Sequence, residues 1–243
     1  MEVWLLLVGI IAGIVSGLLG VGGGIVLTPV LHYGLGLPWV DAVALSLLVI
    51  AVQSPVGVWR HARKAAVSWR MAVPLVVSGA LGVFVGDRLL PHLPVAGLKL
   101  LFAGLMLLAA WRLGRIVVRP GTPDVGLLAG VGFAAGIVSR LLGVGGGIIT
   151  VPMLGLLGVP VHLAVGTSLV AVFTNAAVAT GANLARGLDW TGGLLLALGA
   201  VVGTFVGVWT AHALPEARLR RVVAMALVSV AVLVAIDALG NLL

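Results

Sequence analysis

Long apolar runs separated by short polar breaks fill the chain, and their character is helical. Four such segments occupy each half: 3–32, 41–59, 71–90 and 95–111 in the first, then 125–155, 163–185, 191–211 and 219–240 in the second. Lengths of this order suit helices that cross a bilayer, whereas the alternating ten-residue strands of an outer-membrane barrel do not appear in the pattern. The first and fifth segments differ from the rest. Each is interrupted by a cluster of glycines with a proline five residues further on, Pro29 and Pro152.

That interruption is duplicated. AGIVSGLLGVGGGI at 12–25 returns as AGIVSRLLGVGGGI at 135–148, and the one difference is Arg140 in place of Gly17. The correspondence extends along the chain: LP at 37–38 matches VP at 159–160, AVALSL at 42–47 matches AVGTSL at 164–169, and Gly82 and Gly86 match Gly203 and Gly207. Two repeats of about 120 residues are therefore expected. The first covers 1–111 and the second 124–243, joined by a linker over 112–123.

Composition sets the class. Hydrophobic residues make up 61% of the 243-residue chain and charged residues 9%, against about a quarter charged in soluble domains. Too little charge remains to solvate a water-facing surface, so the chain reads as an all-α polytopic membrane protein. No long polar segment leaves room for a soluble catalytic domain, and no enzyme activity is expected. The net charge of +7 resides in short basic clusters between apolar spans. Clusters so placed orient a protein against the cytoplasmic face of a membrane, and no nucleic-acid partner is implied. Cysteine is absent, which removes disulfides and thiolate chemistry. The N-terminal MEVWLLLVGIIAG lacks a basic n-region and reads as a retained membrane segment.

Charge also discriminates between topologies. If all eight segments cross, Arg60, Arg63, Lys64, Arg70, Arg112, Arg115, Arg119 and Arg186 fall inside, with Arg88, Lys99, Arg218, Arg220 and Arg221 outside, a split of eight to five. If the first segment of each repeat instead dips in and returns at its glycines, the second repeat is inverted. Arg218, Arg220 and Arg221 then move inside and Arg186 outside, the split becomes ten to three, and Arg140 stays in the membrane. The positive-inside rule favours this second arrangement. The expected architecture is thus two inverted repeats in the cell inner membrane, each a glycine-broken re-entrant hairpin plus three transmembrane helices, with both termini outside.

GVGGG is costly inside a helix, at about 1 kcal/mol per glycine relative to alanine. Unwound backbone survives in a bilayer only where protein or a watery cavity surrounds it, and a broken helix recurring in both halves points to a transporter's binding site. Gly22, Gly23 and Gly24, with Gly145, Gly146 and Gly147, are the expected anion contacts. The helical arm after each break offers free N–H groups and a positive dipole end, and the absent Cβ atoms permit close approach. Gly82, Gly86, Gly203 and Gly207 read instead as helix-packing contacts. Arg140 adds one guanidinium, a good two-point partner for an oxyanion; the competing reading is that it snorkels or pairs with a carboxylate such as Asp41.

Ser46, Thr167 and Ser168 at matching positions, with Gln53 and Asn175 one or two turns later, either face the cavity or hydrogen-bond between helices. His61 and Asn183 also align, His61 lying in the basic RHARK cluster. The other histidines fall near segment ends with no metal-ligand spacing, so neither metal nor cofactor is expected. The acidic residues lie mostly at segment ends, Asp41 and Asp87 coming nearest to a proton relay.

With its duplicated G-x-G-G-G, downstream proline and A-V-G-T-S-L, the chain resembles the TauE/SafE family of sulfite and organosulfonate exporters. The resemblance covers both halves. It carries the family motif onto Gly20, Gly22–Gly24 and Pro29, onto Gly143, Gly145–Gly147 and Pro152, and onto Gly166–Thr167–Ser168; in the first half AVALSL keeps only Ser46. It implies an eight-segment permease, and it alone supplies sulfur and the export direction. The combined expectation is a secondary transporter of a small anion, sulfite or an organosulfonate, working by alternating access as one repeat rocks against the other. An anion channel and a non-transporting structural membrane subunit are the alternatives. The expected partners are the anion and the lipid bilayer. The coupling ion, H+ or Na+, is left open, and a homodimer is compatible with the sequence.

Overall fold

The structure, a computed structural model, describes residues 2–19, 22–113, 123–184, 191–213 and 216–240. Among them every regular element is helical. Helix α1 (Glu2–Leu19) ends at the first glycine cluster, and α2 (Gly24–Pro29) runs on into a π-turn over Val30–Gly34. Three helices follow: α3 (Trp39–Arg63), α4 (Trp69–Leu89) with a 3-10 turn at Leu90–His92, and α5 (Val95–Leu113). The second half repeats the series as α6 (Val125–Leu142), α7 (Gly147–Leu156), α8 (Val161–Leu184), α9 (Thr191–Ala213) and α10 (Glu216–Gly240). Five of the described helical spans are long and apolar enough to cross a membrane: Trp39–Arg63, Trp69–His92, Val125–Leu142, Val161–Leu184 and Gly193–Thr210. The chain is a multi-pass helical membrane protein. Gly20, Arg115, Arg119, Arg186 and the side chains of Arg112, Arg218, Arg220 and Arg221 lie outside the described residues.

The helix ends follow local chemistry. The Asp124 side chain accepts from the Gly126 N–H at 2.9 Å and caps α6. At the other end Gly143 adopts φ 72° and its N–H donates to the Ser139 carbonyl, a left-handed C-cap suited to glycine. Pro38 precedes α3 and Pro94 precedes α5, each leaving its carbonyl for the first turn (Ala42 and Leu98 N–H).

Glycine and bulky apolar residues divide the faces of α4 and α9. Val73, Val77, Leu81 and Phe84 form an exposed apolar stripe on α4, and their repeat counterparts Leu194, Leu198, Val202 and Phe205 form the same stripe on α9. A three- and four-residue spacing puts each set on one helical face, the face lipid covers. The opposite faces close on glycine. Gly82 lies on the Phe133 carbonyl and Gly86 on Ile137 and Arg140, while Gly203 and Gly207 lie on the Ile10 and Ile14 carbonyls.

These contacts pair the first helix of each half of the chain with a helix of the other half. Helix α1 of the first repeat packs mainly on α9 of the second, and α6 of the second packs mainly on α4 of the first. Helices α3 and α8, which correspond by repeat, lie side by side and run antiparallel: Gly57 meets Leu169, and Gly166 meets His61 and Ala66. The partners α5 and α10 are antiparallel too, since Lys99 near the start of one reaches Asp237 near the end of the other. His61, expected among interfacial basic residues, is instead buried, because Gly166 of α8 brings a helix against it.

Candidate functional site

The two glycine clusters meet inside the molecule. Gly22 and Gly23 have φ of 90° and 72°, and Gly145 and Gly146 have 70° and 83°, so each loop passes through two successive left-handed residues that side chains disfavour. A Cβ on Gly23 would stand 2.8 Å from the Ala12 carbonyl oxygen, and one on Gly146 would stand 2.6 Å from that of Ala135. Each loop therefore doubles back along the helix that leads into it. Gly24 is pressed onto the Gly143 carbonyl, and a Cβ there would lie 2.8 Å from Val144 Cα. Gly22 and Gly145 both touch Ile50 of α3 and Val172 of α8, corresponding residues of the two repeats. Gly24 and Gly147 open α2 and α7, and the first amides of a helix have no acceptor within it.

The polar residues around the loops separate into braces and unengaged groups. Ser46 Oγ lies 2.9 Å from the Gly143 carbonyl oxygen and accepts from Thr28 Oγ1 at 3.0 Å, tying α2, α3 and the second loop together. Gln53 donates from Nε2 to the Gly22 carbonyl at 2.9 Å and accepts at Oε1 from Thr204 at 3.0 Å. Its counterpart Asn175 is one methylene shorter and lies against Gly79 of α4, where a Cβ would stand 2.5 Å from its Oδ1. It has no hydrogen-bond partner among the described residues at either Nδ2 or Oδ1. Ser168 is buried at the position matching Ser46. Thr167 is turned elsewhere, its Oγ1 accepting from the Ser68 N–H at 3.0 Å where α4 begins. The fold thus brings the six glycines, Ser46 and Gln53 together, and leaves Thr167 as a helix-end contact.

Arg140 is fully buried in the last turn of α6, where the helix dipole favours a cation. Its partner is Asp87 of α4, and not Asp41: Nε and Nη2 lie 2.7 and 2.6 Å from Asp87 Oδ1. The reason is packing. α6 runs along α4, and Gly86, lacking a Cβ, leaves space for the Arg140 side chain beside it. At the corresponding position of the first repeat, a Cβ on Gly17 would lie 2.6 Å from the Thr204 carbonyl oxygen, so α9 excludes any side chain there. Close helix contact is why only one copy of the motif carries the arginine.

A second ion pair was not anticipated from the sequence. Lys99 of α5 is buried against Asp237 of α10, and Tyr33, beyond the first hairpin arm, donates to the same carboxylate oxygen at 3.0 Å. Trp39 and Tyr33 present their rings to the ammonium at 5.6 and 5.7 Å. The available signal was one cation and one anion inside expected spans 95–111 and 219–240, which have to find partners in a bilayer.

Similar proteins agree with a membrane role. The chain is 31% identical over 178 residues to a probable membrane transporter protein of Methanocaldococcus jannaschii, covering 68% of this chain and 66% of that one. It is 30% identical over 179 residues to a probable membrane transporter protein of Haemophilus influenzae, at 67% and 66% coverage. With a probable membrane transporter protein of Bacillus subtilis it shares 25% identity over 229 residues, 89% of this chain and 93% of the relative. The match to the first two spans just under two thirds of their length. Residues 5–232 match the sulfite exporter TauE/SafE family, and with that extent of its length covered the chain belongs to this family.

Proposed function

We propose that this membrane transporter carries a small oxyanion, sulfite or an organosulfonate, by alternating access, and that the anion binds where the two glycine loops touch. The observation that carries the reading is the contact of Gly24 with Gly143 and Val144. Two unwound, left-handed segments share one interior point, each followed by a helix start with free amides and no Cβ to keep an anion away. Arg140 lies one turn before Gly143 and supplies a buried guanidinium, with Asp87 as its resting counter-charge. Ser46 and Gln53 shape the loops from behind. The named substrate of the family is the reason for choosing a sulfur oxyanion.

Inverted repeats are supported by the antiparallel course of the corresponding pairs α3/α8 and α5/α10. A re-entrant course for α6–α7 is supported at one surface cleft. Asp124 and Leu128 at the start of α6 line it together with Gly158 and Pro160 beyond α7 and with Ser68 and Arg70. Because α1 and α6 each pack on a helix of the other half, the moving bodies are mixed: α1 travels with α9, and α6 with α4. This refines the expectation of one repeat rocking on the other.

The test is sulfite flux into proteoliposomes for the wild type and Arg140→Gly, with sulfate and phosphate as competitors. Saturable flux with counterflow, strongly reduced in the variant at equal protein, is the expected result. Conductance without saturation or counterflow indicates a channel. Absence of any saturable anion flux overturns the reading.

A further inference from the structure

Asn175 is not alone. Thr180 Oγ1 and Asn183 Nδ2 are also without a hydrogen-bond partner among the described residues. The exposures of Asn175, Thr180 and Asn183 are 0%, 7% and 2%. All three belong to the last three turns of α8. A buried amide or hydroxyl with no partner is disfavoured, and native proteins keep few of them without a use. The corresponding positions of α3 are Gln53, satisfied at both ends of its amide, then Val58 and His61. On α3 the buried Ser54 Oγ also lacks a partner among the described residues, so what sets the second half apart is its carboxamides, Asn175 and Asn183.

The register of α8 on α4 shows where they lead. Ser68 N–H meets Thr167, and Gly79 lies on Asn175, where a Cβ would stand 2.5 Å from Oδ1, so the two helices run parallel. Beyond that contact α4 continues to Asp87 and α8 to Asn183, both toward the same end of the molecule. Unpartnered polar groups of α8 thus run from near the glycine loops, which touch Val172 one turn before Asn175, toward the end of the molecule where Asp87 pairs with Arg140. In that pair the arginine side chain is 1% exposed and the carboxylate 24%, so the open side is reached through Asp87.

Resting on the anion-transport reading above, we propose that Asn175, Thr180 and Asn183 form a single polar path between the glycine-loop site and the end of the molecule bearing Asp87. Along it an oxyanion accepts hydrogen bonds from the two amides and the hydroxyl, and at its end it replaces the Asp87 carboxylate on Arg140. Gln53 is a positioning residue that holds the first loop, and the carboxamides that line the path belong to the second half.

The test compares wild type with Asn175→Leu, Thr180→Val and Asn183→Leu in proteoliposomes, using sulfite as the probe. In Asn175→Leu and Thr180→Val, removing an unengaged buried polar group leaves the thermal midpoint equal or higher, while saturable flux falls about tenfold or more in the two asparagine variants, the weight of a hydrogen bond to a charged group. Wild-type flux in both asparagine variants overturns the path. A second measurement does not depend on flux. The chain has no cysteine, so Thr180→Cys and Asn183→Cys can each be treated with a negatively charged, membrane-impermeant thiol reagent. Reaction from one side only, slowed by methanesulfonate, is expected; an unreactive cysteine at both positions overturns the proposal. If the wild type itself moves no sulfite, the substrate reading fails, and the labelling result still decides whether the path exists.

Discussion

At the scale of single residues, small differences in side-chain length separate a brace from a free group. Gln53 reaches both the Gly22 carbonyl and Thr204. Gln53→Leu leaves those two groups unsatisfied, and a loss of about 1–3 kcal/mol is expected in detergent-phase unfolding. The same replacement at Asn175 is expected to cost nothing. Position 17 and position 140 make a second contrast. Gly17→Ala drives a Cβ into the α9 backbone at Thr204, an overpacking worth about 1–3 kcal/mol and readable as a lower thermal midpoint. Arg140→Gly removes the guanidinium that contacts Asp87 Oδ1, so Asp87→Asn in the same protein is expected to restore part of the lost stability. Simple additivity in that double-mutant cycle would mean that the pair carries no coupling. The presence of an intramembrane arginine was legible in the sequence; its partner was not. Asp41 and Asp87 are equally plain carboxylates on paper, and only the course of α6 along α4 brings Asp87 to it.

At the scale of elements, the glycines do two jobs, and their surroundings tell them apart. Those of the loops have positive φ and a carbonyl where a Cβ would stand. Gly146→Ala is expected to lose at least about 1–2 kcal/mol from the backbone conformation alone, and Gly23→Ala likewise. Gly104, inside α5, has nothing within 4 Å of a built Cβ, and Gly104→Ala is expected to raise stability by up to about 1 kcal/mol through helix propensity. Circular dichroism melts of the three variants check both signs. The breaks themselves were legible because three adjacent glycines and a following proline oppose a continuous helix. The packing role of Gly82, Gly86, Gly203 and Gly207 followed from their spacing, and they lie on neighbouring carbonyls as expected. The Lys99–Asp237–Tyr33 cluster was not legible, since its members come from three elements distant in sequence.

At the scale of the whole molecule, the arrangement makes a topological prediction. Pro160 and Lys64 belong to the end where α4, α6 and α8 begin, and His92 lies at the end where α4 finishes. Cysteines at Lys64 and Pro160 are expected to react with an impermeant maleimide from the cytoplasmic side, and one at His92 from the opposite side. Labelling of Lys64→Cys and Pro160→Cys from different sides would contradict a re-entrant second hairpin and restore a fully crossing one. If transport proceeds by the proposed alternating access, the packing of α1 on α9 and of α6 on α4 puts the hinge in the segments joining α2 to α3 and α7 to α8.

Membrane class, helical character, duplication and the two broken segments were available from the residues in order, because each depends on composition or on neighbours close along the chain. A sustained apolar run needs a bilayer, and a glycine cluster opposes a helix wherever it stands. What remained for the folded chain to decide were matters of distance between remote segments: which carboxylate meets Arg140, which amide is satisfied and which is left over, and which helix each hairpin arm lies against. One methylene between Gln53 and Asn175, and one missing Cβ at Gly86 or Gly17, have no meaning until two helices are a fixed distance apart. Only tertiary packing sets that distance.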